Sequence, residues 1–167
     1  AEINVSTTGA LTVADDVLAS GAITLSALEA ATAGQDLTVQ TNVTVDSTGG
    51  SVTLRAGDNL TLEDSSTVSA AQQVTLAGDF GDADPGQGAT ITVAGTIASG
   101  APAQILGGAD SDTILLNPGV GHSVSAATLN GQGGDDTYVI HFGRLAGEIQ
   151  IADSSGSDQA TLYGQTT

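Results

Sequence analysis

The stretches Gly107–Leu116 (G-G-A-D-S-D-T-I-L-L) and Asn130–Ile140 (N-G-Q-G-G-D-D-T-Y-V-I) decide the fold of this chain. Each is a glycine-rich, acidic turn that runs through a threonine into an apolar strand, and Asp112 and Asp136 lie 24 residues apart. A chain that returns to the same corner at this interval brings the carboxylates of successive turns together. Because crowded carboxylates repel one another unless a cation neutralises them, the pair predicts a calcium-dependent fold.

Short alternating strands recur along the whole chain. An apolar-Thr-apolar triplet is typical of a half-buried strand, and Gly, Asp, Asn and Ser fill the gaps as turn residues. The strands that follow the glycine-acid turns begin their core with residues spaced by 23, 31, 23, 24 and 24 positions. These residues are Leu37, Leu60, Ile91, Ile114, Tyr138 and Leu162. Self-similarity at this period, with three strands per repeat, indicates a solenoid.

The predicted fold is all-β: a right-handed parallel β-helix of about six to seven coils of 22–24 residues, forming one domain over residues 1–167. The interval of 31 residues contains G-D-F-G-D-A-D-P-G-Q-G (78–88), which we expect to be a longer turn inserted into one coil. The alanine-rich segment 25–34 is expected to be a long loop, with a helical turn as the alternative. A β-sandwich of many short strands is the second candidate fold, but it does not require so regular a period.

The composition narrows the possible partners. The chain has 167 residues, 19 acids, two arginines and no lysine, which gives a formal net charge of −17. Nucleic acid is excluded as a partner because almost nothing neutralises phosphates. No apolar run approaches the length of about 20 residues that a membrane helix needs, so we expect no membrane insertion. Aromatic residues make up only 2% and Cys, Met and Trp are absent, which suits a slim interior of stacked aliphatic side chains.

The two acidic turns resemble haemolysin-type (RTX) calcium-binding repeats, whose consensus is G-G-x-G-x-D-x-U-x. The segment 107–115 matches both leading glycines, the aspartate and the apolar position, while the segment 131–139 has Gln132 in place of the second glycine. Gly156-Ser157-Asp158 is a weaker third member. The resemblance implies Ca²⁺ as the cofactor, held by aspartates of neighbouring turns: Asp110, Asp112, Asp135, Asp136 and Asp158.

The period of these turns departs from that family. RTX repeats return every nine residues, whereas the turns here return every 22 to 24, once per coil. The first hundred residues instead resemble the repeats of filamentous-haemagglutinin-type adhesins, as in S-V-T-L-R-A-G-D-N-L-T-L (51–62). That resemblance implies a β-helix on a bacterial surface. Together the two predict one line of calcium-binding turns along a larger β-helix.

The acids also have a simpler interpretation, because Asp and Gly are common in turns that bind no metal. We apply it to Asp36, Asp58, Asp79, Asp82 and Asp84, which match no consensus and are expected to be solvated turn residues. His122 and His141 lie in no catalytic motif, and no serine lies in a G-x-S-x-G turn. We therefore expect no enzymatic activity.

The sequence predicts a structural or adhesive segment of a secreted or cell-surface bacterial repeat protein. Calcium at the stacked Gly-Asp turns would stabilise it. Open solenoid ends favour end-to-end stacking, so its expected partners are further repeats of the same polypeptide or other copies of itself, and we expect a slice of a longer stack or of a polymer. One alternative is a calcium-triggered folding module, and another is an accessory domain of a secreted polysaccharide-acting enzyme.

Overall fold

The computed structural model describes residues 1–153 and 155–164. Within this part, the chain folds into short β-strands joined by turns, with one 3-10 helix at Phe142–Arg144 and no α-helix. The strands are β1 (Ile3–Thr7), β2 (Leu11–Val13), β3 (Val17–Ala19), β4 (Ile23–Ala27), β5 (Leu37–Val39), β6 (Thr44–Ser47), β7 (Val52–Ala56), β8 (Leu60–Leu62), β9 (Thr67–Ala70), β10 (Val74–Ala77), β11 (Thr90–Val93), β12 (Thr96–Ser99), β13 (Ala103–Leu106), β14 (Thr113–Leu116), β15 (Ala127–Asn130), β16 (Thr137–His141), β17 (Ile149–Ile151) and β18 (Gln159–Tyr163).

These strands wind into a β-solenoid of about seven turns, as the repeat period predicts. Every strand pairs in parallel with its counterparts in the coils before and after it. Face A contains β1-β4-β7-β10-β13-β15-β17, face B contains β2-β5-β8-β11-β14-β16-β18, and face C contains β3-β6-β9-β12. Beyond β12, face C continues as single bridges from Val124 to Ile97 and to Leu145. Three short strands therefore form each of the first four coils, and two strands with a bridge form the fifth and sixth.

The core is a stack of like side chains from successive coils. Leu37 pairs with Leu60 and Leu60 with Ile91, and all three are fully buried. The threonine at the centre of each triplet points outward and is half-buried. Because alternate residues of a strand face opposite sides, the apolar-Thr-apolar triplet places two aliphatic groups inside per strand. Burial of this aliphatic column provides the main driving force for the fold.

One predicted position in the face B column, that of Leu162 over Tyr138, is wrong. Tyr138 pairs with Ala160, and Leu162 pairs with Ile140 instead. The last interval of the face B column is therefore 22 residues and not 24, because the segment that connects β16 to β17 is two residues shorter, counted between paired residues, than the one that connects β14 to β15. Tyr138, which the repeat period makes the first core residue of its strand, is 1% exposed and packs inside the solenoid. Its hydroxyl has buried polar partners, which makes this position possible for an aromatic side chain.

The turns from face A to face B are called the acidic corner below. They comprise residues 8–10, 28–36, 57–59, 78–89, 107–112, 131–136 and 152–158 without residue 154. The loop 28–36 follows β4 without a helical turn, which confirms the predicted loop over 28–34, whereas residues 25–27 of that prediction belong to β4. The loop 78–89 is the predicted insertion, because β10 and β11 themselves stay in register with their neighbours. Among the described residues, no helix has the length and apolarity to span a membrane.

Candidate metal sites at the acidic corner

Most of the negative charge of this chain lies along one edge of the solenoid. Twelve of the 19 acids belong to the acidic corner: Glu29, Asp36, Asp58, Asp79, Asp82, Asp84, Asp110, Asp112, Asp135, Asp136, Asp153 and Asp158. The two arginines contact other groups, since Arg55 packs over the ring of Phe80 at 4.7 Å and Arg144 donates to the Pro118 carbonyl at 2.8 Å. The corner therefore concentrates carboxylates in an electrostatic environment that favours cations.

Four of these acids form a ladder that joins consecutive coils. Asp112 Oδ1 accepts the Ala89 N–H at 2.6 Å, Asp136 Oδ1 accepts the Asp112 N–H at 2.7 Å, and Asp158 Oδ1 accepts the Asp136 N–H at 3.0 Å. Asp58 Oδ2 accepts the equivalent N–H of Gln35 at 2.7 Å. All four acids lie two positions before the first core residue of a face B strand. We call Asp58, Asp112, Asp136 and Asp158 the carboxylate ladder.

The glycines of the turn motif make room for this ladder. A Cβ on Gly131 would collide with the carboxylate of Asp136, and a Cβ on Gly107 would collide with that of Asp112. In each turn the aspartate lies five positions after its glycine and folds back over it. Asp112 Oδ2 also accepts the Gly108 N–H at 2.6 Å, so both of its oxygens bind backbone. The Gly-Asp spacing thus has a structural reason even without a metal.

The clearest candidate cation site lies at the end of the ladder. Asp136, Asp153 and Asp158 each place one carboxylate oxygen within 4.8 Å of the others. Oxygens bound to one Ca²⁺ lie about 2.3–2.6 Å from the ion and so up to about 5 Å apart, which this spacing fits. Asp136 is 2% exposed, and its Oδ2 is buried without a hydrogen-bond partner among the described residues. A buried, unpartnered anionic oxygen needs a cation or a proton.

Tyr138 supports this site from inside the core. Its hydroxyl accepts the Gly131 N–H at 2.6 Å and donates a hydrogen bond to Asp153 Oδ2. The tyrosine therefore fixes one carboxylate of the trio and one glycine of the turn at the same time. Burial, followed by the contact with Asp153, raises the pKa of Tyr138, so that the hydroxyl remains a donor.

The electrostatics of the ladder favour the binding of a cation. Burial, together with the nearby carboxylate of Asp153, raises the pKa of Asp136 to about 7, although the hydrogen bond from the Asp112 N–H opposes the shift. Burial likewise raises the pKa of Asp112 to about 6 against two backbone N–H donors. Near neutral pH, the ionised form of these carboxylates is costly without a cation, and a bound cation would reverse that cost.

Two more acidic trios lie at the long loops of the corner. Asp79, Asp82 and Asp110 form one, and Glu29, Asp58 and Asp84 form the other, again with oxygens within 4.8 Å. Buried oxygens without a hydrogen-bond partner among the described residues are Asp79 Oδ1, Glu29 Oε2 and both oxygens of Asp84. Asp82 and Asp84 belong to the same inserted loop, which therefore contributes to both trios.

The predicted calcium ligands separate into two groups in the structure. Asp110, Asp136 and Asp158 each belong to an acidic trio. Asp112 and Asp135 belong to none of these trios: Asp112 uses both oxygens for backbone N–H groups, and Asp135 is exposed, with its Oδ1 accepting the Ser157 N–H at 2.9 Å. The central expectation, that Asp112 and Asp136 meet at one corner, is confirmed by their direct hydrogen bond.

Several acids that match no motif are more deeply placed than expected. Asp58 and Asp79 are 7% and 3% exposed, so the expectation that they are solvated turn residues is wrong. Asp58 has a ladder partner in Gln35, and Asp79 Oδ2 accepts the N–H of Ala109 at 2.9 Å and of Asp110 at 3.2 Å. The signal for Asp58 is its column position two residues before Leu60. Glu29 gives no sequence signal, because its trio partners are 29 and 55 residues away.

Both histidines have structural partners. His122 Nδ1 lies 3.1 Å from Thr96 Oγ1 in the preceding coil. His141 stacks on Tyr163, with ring centroids 4.5 Å apart. Each of these contacts joins adjacent coils, and both lie outside the acidic corner.

Comparison with protein-family models, with curated proteins and with solved structures finds no match for this chain.

Proposed function

We propose that this chain is a structural and adhesive segment of a secreted or cell-surface bacterial repeat protein that calcium stabilises at stacked Gly-Asp turns. The observation that carries the proposal is the buried, unpartnered Asp136 Oδ2 beside the carboxylates of Asp153 and Asp158. A hard divalent cation with oxygen ligands fits this arrangement, and water and backbone carbonyls complete such a coordination sphere. Extracellular calcium modules bind at about 10⁻⁴ to 10⁻³ M, which suits a protein that works outside the cell.

The concentration of charge supports calcium over a purely solvated edge. Twelve carboxylates stacked along one corner repel one another from coil to coil, and the two arginines of the chain contact other groups. In a solenoid, each coil stacks on its neighbours, so the repulsion repeats at every step of the stack. A divalent cation placed between coils converts this repulsion into attraction.

The ends of the described solenoid support association along its axis. In β18 every residue is exposed, and in β1 the three central residues are. Leu162 and Tyr163 are 57% and 48% exposed. Each terminal strand presents one row of backbone groups that no strand of the described part covers, which is a template for pairing in parallel with a further coil. Another repeat or a second copy of the chain would continue the stack.

Terbium luminescence tests the calcium site directly. Terbium(III) replaces calcium in oxygen sites and is sensitised by a nearby tyrosine. In a Tyr163→Phe background, Tyr138 is the only tyrosine, and it contacts Asp153 of the trio. Excitation in the tyrosine band should give terbium emission that calcium displaces, and Asp158→Asn should weaken it. Asp15→Asn, which removes the same charge from an exposed turn between β2 and β3, is the matched control.

The result that would refute the proposal is equally specific. Absence of sensitised emission, or emission that Asp158→Asn and Asp15→Asn change equally, would leave no specific site at this trio. Thermal unfolding by circular dichroism, with calcium and with a chelator, gives a second readout. The melting temperature should rise with calcium in the unmodified chain and in Asp15→Asn.

A calcium-triggered folding module is the second candidate. The observation that favours it is the set of buried acidic oxygens without hydrogen-bond partners, found in all three trios. The continuous aliphatic core favours the structural segment, because this core is complete without any ion. A far-ultraviolet spectrum in chelator separates the two: a folded β spectrum supports the structural segment, and a disordered spectrum that calcium restores supports the folding module.

A further inference from the structure

The inserted loop 78–89 connects the coils on either side of its own. It belongs to the fourth coil, between β10 and β11. Asp82 meets Asp110 of the fifth coil, whereas Asp84 meets Asp58 of the third and Glu29 of the second. The loop thus places acids against three other coils, the second, the third and the fifth.

The backbone of this loop is shaped to present its acids. Asp79 and Asp82 have φ of 46° and 48°, a left-handed conformation that aspartate tolerates better than most residues. Gly81 and Gly86 also have positive φ, and the Gly86 N–H donates to Asp110 Oδ2 at 2.6 Å. These consecutive bends turn the carboxylates of the loop toward the corner and hold the loop against Asp110.

Asp79 is the side chain that this arrangement leaves incomplete. It is 3% exposed, and its Oδ2 accepts two backbone N–H groups from Ala109 and Asp110. Its Oδ1 is buried and has no hydrogen-bond partner among the described residues. Burial raises the pKa of Asp79, and the charges of Asp110 and Asp82 raise it further. One oxygen of a buried carboxylate is therefore left without a donor beside two more carboxylates.

We propose that Asp79, Asp82 and Asp110 bind a calcium-type divalent cation that fastens the inserted loop to the following coil. The three contributing oxygens lie within 4.8 Å of one another, inside the span of about 5 Å that ligands of one Ca²⁺ reach. Carboxylates from one loop and from the next coil meet in this site, so the cation joins segments that are distant in sequence. This site is separate from the trio of Asp136, and of its three acids only Asp110 lies in a sequence motif.

A cation can reach the site from solvent. An open groove of about 540 Å³ runs beside it, lined by Arg55, Asp79, Phe80, Asp82, Gly108 and Gln132 among others. Asp82 is exposed, so one ligand is available to an incoming hydrated ion before the ion meets buried Asp79. Phe80, packed on Arg55, keeps an aromatic side chain next to the site.

A reporter at Phe80 distinguishes this site from the one at Asp136. In a Phe80→Trp variant, excitation at the red edge of the tryptophan band should sensitise terbium bound beside Asp79, and calcium should displace it. Adding Asp82→Asn should weaken terbium binding about tenfold or more. Substitution of a residue that only hydrogen-bonds to a metal ligand already costs about 10–100-fold in affinity, and Asp82 is proposed as a ligand itself. Asp82 is exposed, so this substitution leaves the core intact.

Two controls separate the possible outcomes. Asp15→Asn should leave the tryptophan-sensitised signal unchanged, and so should Asp158→Asn, which lies at the other trio. Emission from the tryptophan reporter without tyrosine-sensitised emission would support this loop site while refuting the proposed site at Asp136. Failure of the reporter to sensitise terbium, or a signal that Asp82→Asn leaves unchanged, would refute the loop site.

Hydrogen exchange measures the same property without a reporter. In the chain with native Phe80, calcium should slow amide exchange across 79–86, because a fastened loop opens less often. The slowing should persist in Asp15→Asn and disappear in Asp82→Asn. Exchange that calcium leaves unchanged in the native chain would overturn the proposal. Slowing at low pH in chelator, without an effect of calcium, would assign the Asp79 oxygen to a proton instead.

Discussion

Asp136 Oδ1 accepts the backbone N–H of Asp112 at 2.7 Å, so the equivalent aspartates of two successive turns are in direct contact. The contact joins residues 24 positions apart, which lie in adjacent coils. One oxygen of Asp136 holds the backbone of the neighbouring coil, and the other faces the acidic trio without a donor. The connection between the coils thus leaves one oxygen of this side chain available to the proposed cation.

Replacing Asp112 with alanine should destabilise the solenoid strongly. The substitution removes the acceptor of two backbone N–H groups, those of Ala89 and Gly108, at a buried position. Each unsatisfied buried donor costs about 1–3 kcal/mol. Urea unfolding should show this loss in the free energy of unfolding, whereas Asp15→Ala should change it by less than about 0.5 kcal/mol. Equal stabilities of the two variants would contradict the role of the ladder.

Gly131→Ala tests the space that the ladder needs. A Cβ at this position would occupy the place of the Asp136 carboxylate, so the turn must shift or the acid must leave. Overpacking of this kind costs about 1–3 kcal/mol, and it should also weaken terbium binding at the Asp136 trio. Gly9→Ala is the matched control, because nothing lies within 4 Å of a Cβ built there. Tolerance of Gly131→Ala in both assays would refute this explanation of the glycine.

Tyr138→Phe should reduce stability although it keeps the aromatic ring. The hydroxyl accepts the Gly131 N–H and donates to Asp153, and both partners lose it in the variant. We expect a cost of about 1–3 kcal/mol in urea unfolding from the unpaired buried donor. Tyr163→Phe removes a hydroxyl from a residue that is 48% exposed and should have almost no effect. Similar values for the two variants would count against the buried hydrogen bonds of Tyr138.

The pH dependence of stability should change sign with calcium. Burial raises the folded pKa of Asp112 to about 6 and of Asp136 to about 7, from 3.8. The folded state therefore binds these protons more tightly than the unfolded state, and the stability they contribute is present below about pH 4 and lost as pH rises through about 7. In chelator, the melting temperature should fall across this window.

In calcium, the same window should show the opposite trend, because the cation binds the ionised carboxylates and competes with protons. Melting curves at several pH values, with calcium and with chelator, test both parts. Asp136→Asn should flatten both dependences, since the amide neither titrates in this range nor carries a charge for the cation. Parallel pH profiles with and without calcium would contradict cation binding at the ladder.

Association along the axis should depend on the exposed end of face B. Leu162→Lys adds a charge to β18, where Leu162 is 57% exposed, and should lower any concentration-dependent association in sedimentation velocity. Val120→Lys is the control, because Val120 is 82% exposed in a lateral turn far from the strand edges. A chain that sediments as a monomer at every concentration would contradict end-to-end assembly.

The sequence predicts the coil period well, because the solenoid repeats one local pattern. Apolar-Thr-apolar triplets become strands, and the spacing of the Gly-Asp turns gives the register that pairs Thr113 with Thr137. The pattern fails where a turn changes length. The segment between β16 and β17 is two residues shorter than the equivalent segment of the preceding coil, so Ala160, not Leu162, lies over Tyr138. Turn length is not encoded in the strand pattern, which repeats every second residue.

The candidate sites are less predictable than the fold. Asp112 and Asp136 stand in a recognisable motif, but the burial of Asp79 depends on N–H groups that lie 30 and 31 residues later. Glu29 reaches its trio only because two long loops fold onto the same edge. Such contacts arise from the stacking of coils and leave no local signature. The motif therefore indicates where the corner lies, while the structure decides which oxygens remain free.

The direction of the carboxylate ladder has a consequence for how the solenoid can be built. The N–H of Ala89 donates to Asp112, that of Asp112 to Asp136, and that of Asp136 to Asp158, so each donor depends on an acid of the next coil. Along this column, the backbone hydrogen bonds of a newly synthesised coil are complete only when the next coil has folded onto it. A truncation within this column therefore leaves one backbone N–H at the new terminus without its carboxylate acceptor, which a further coil would supply.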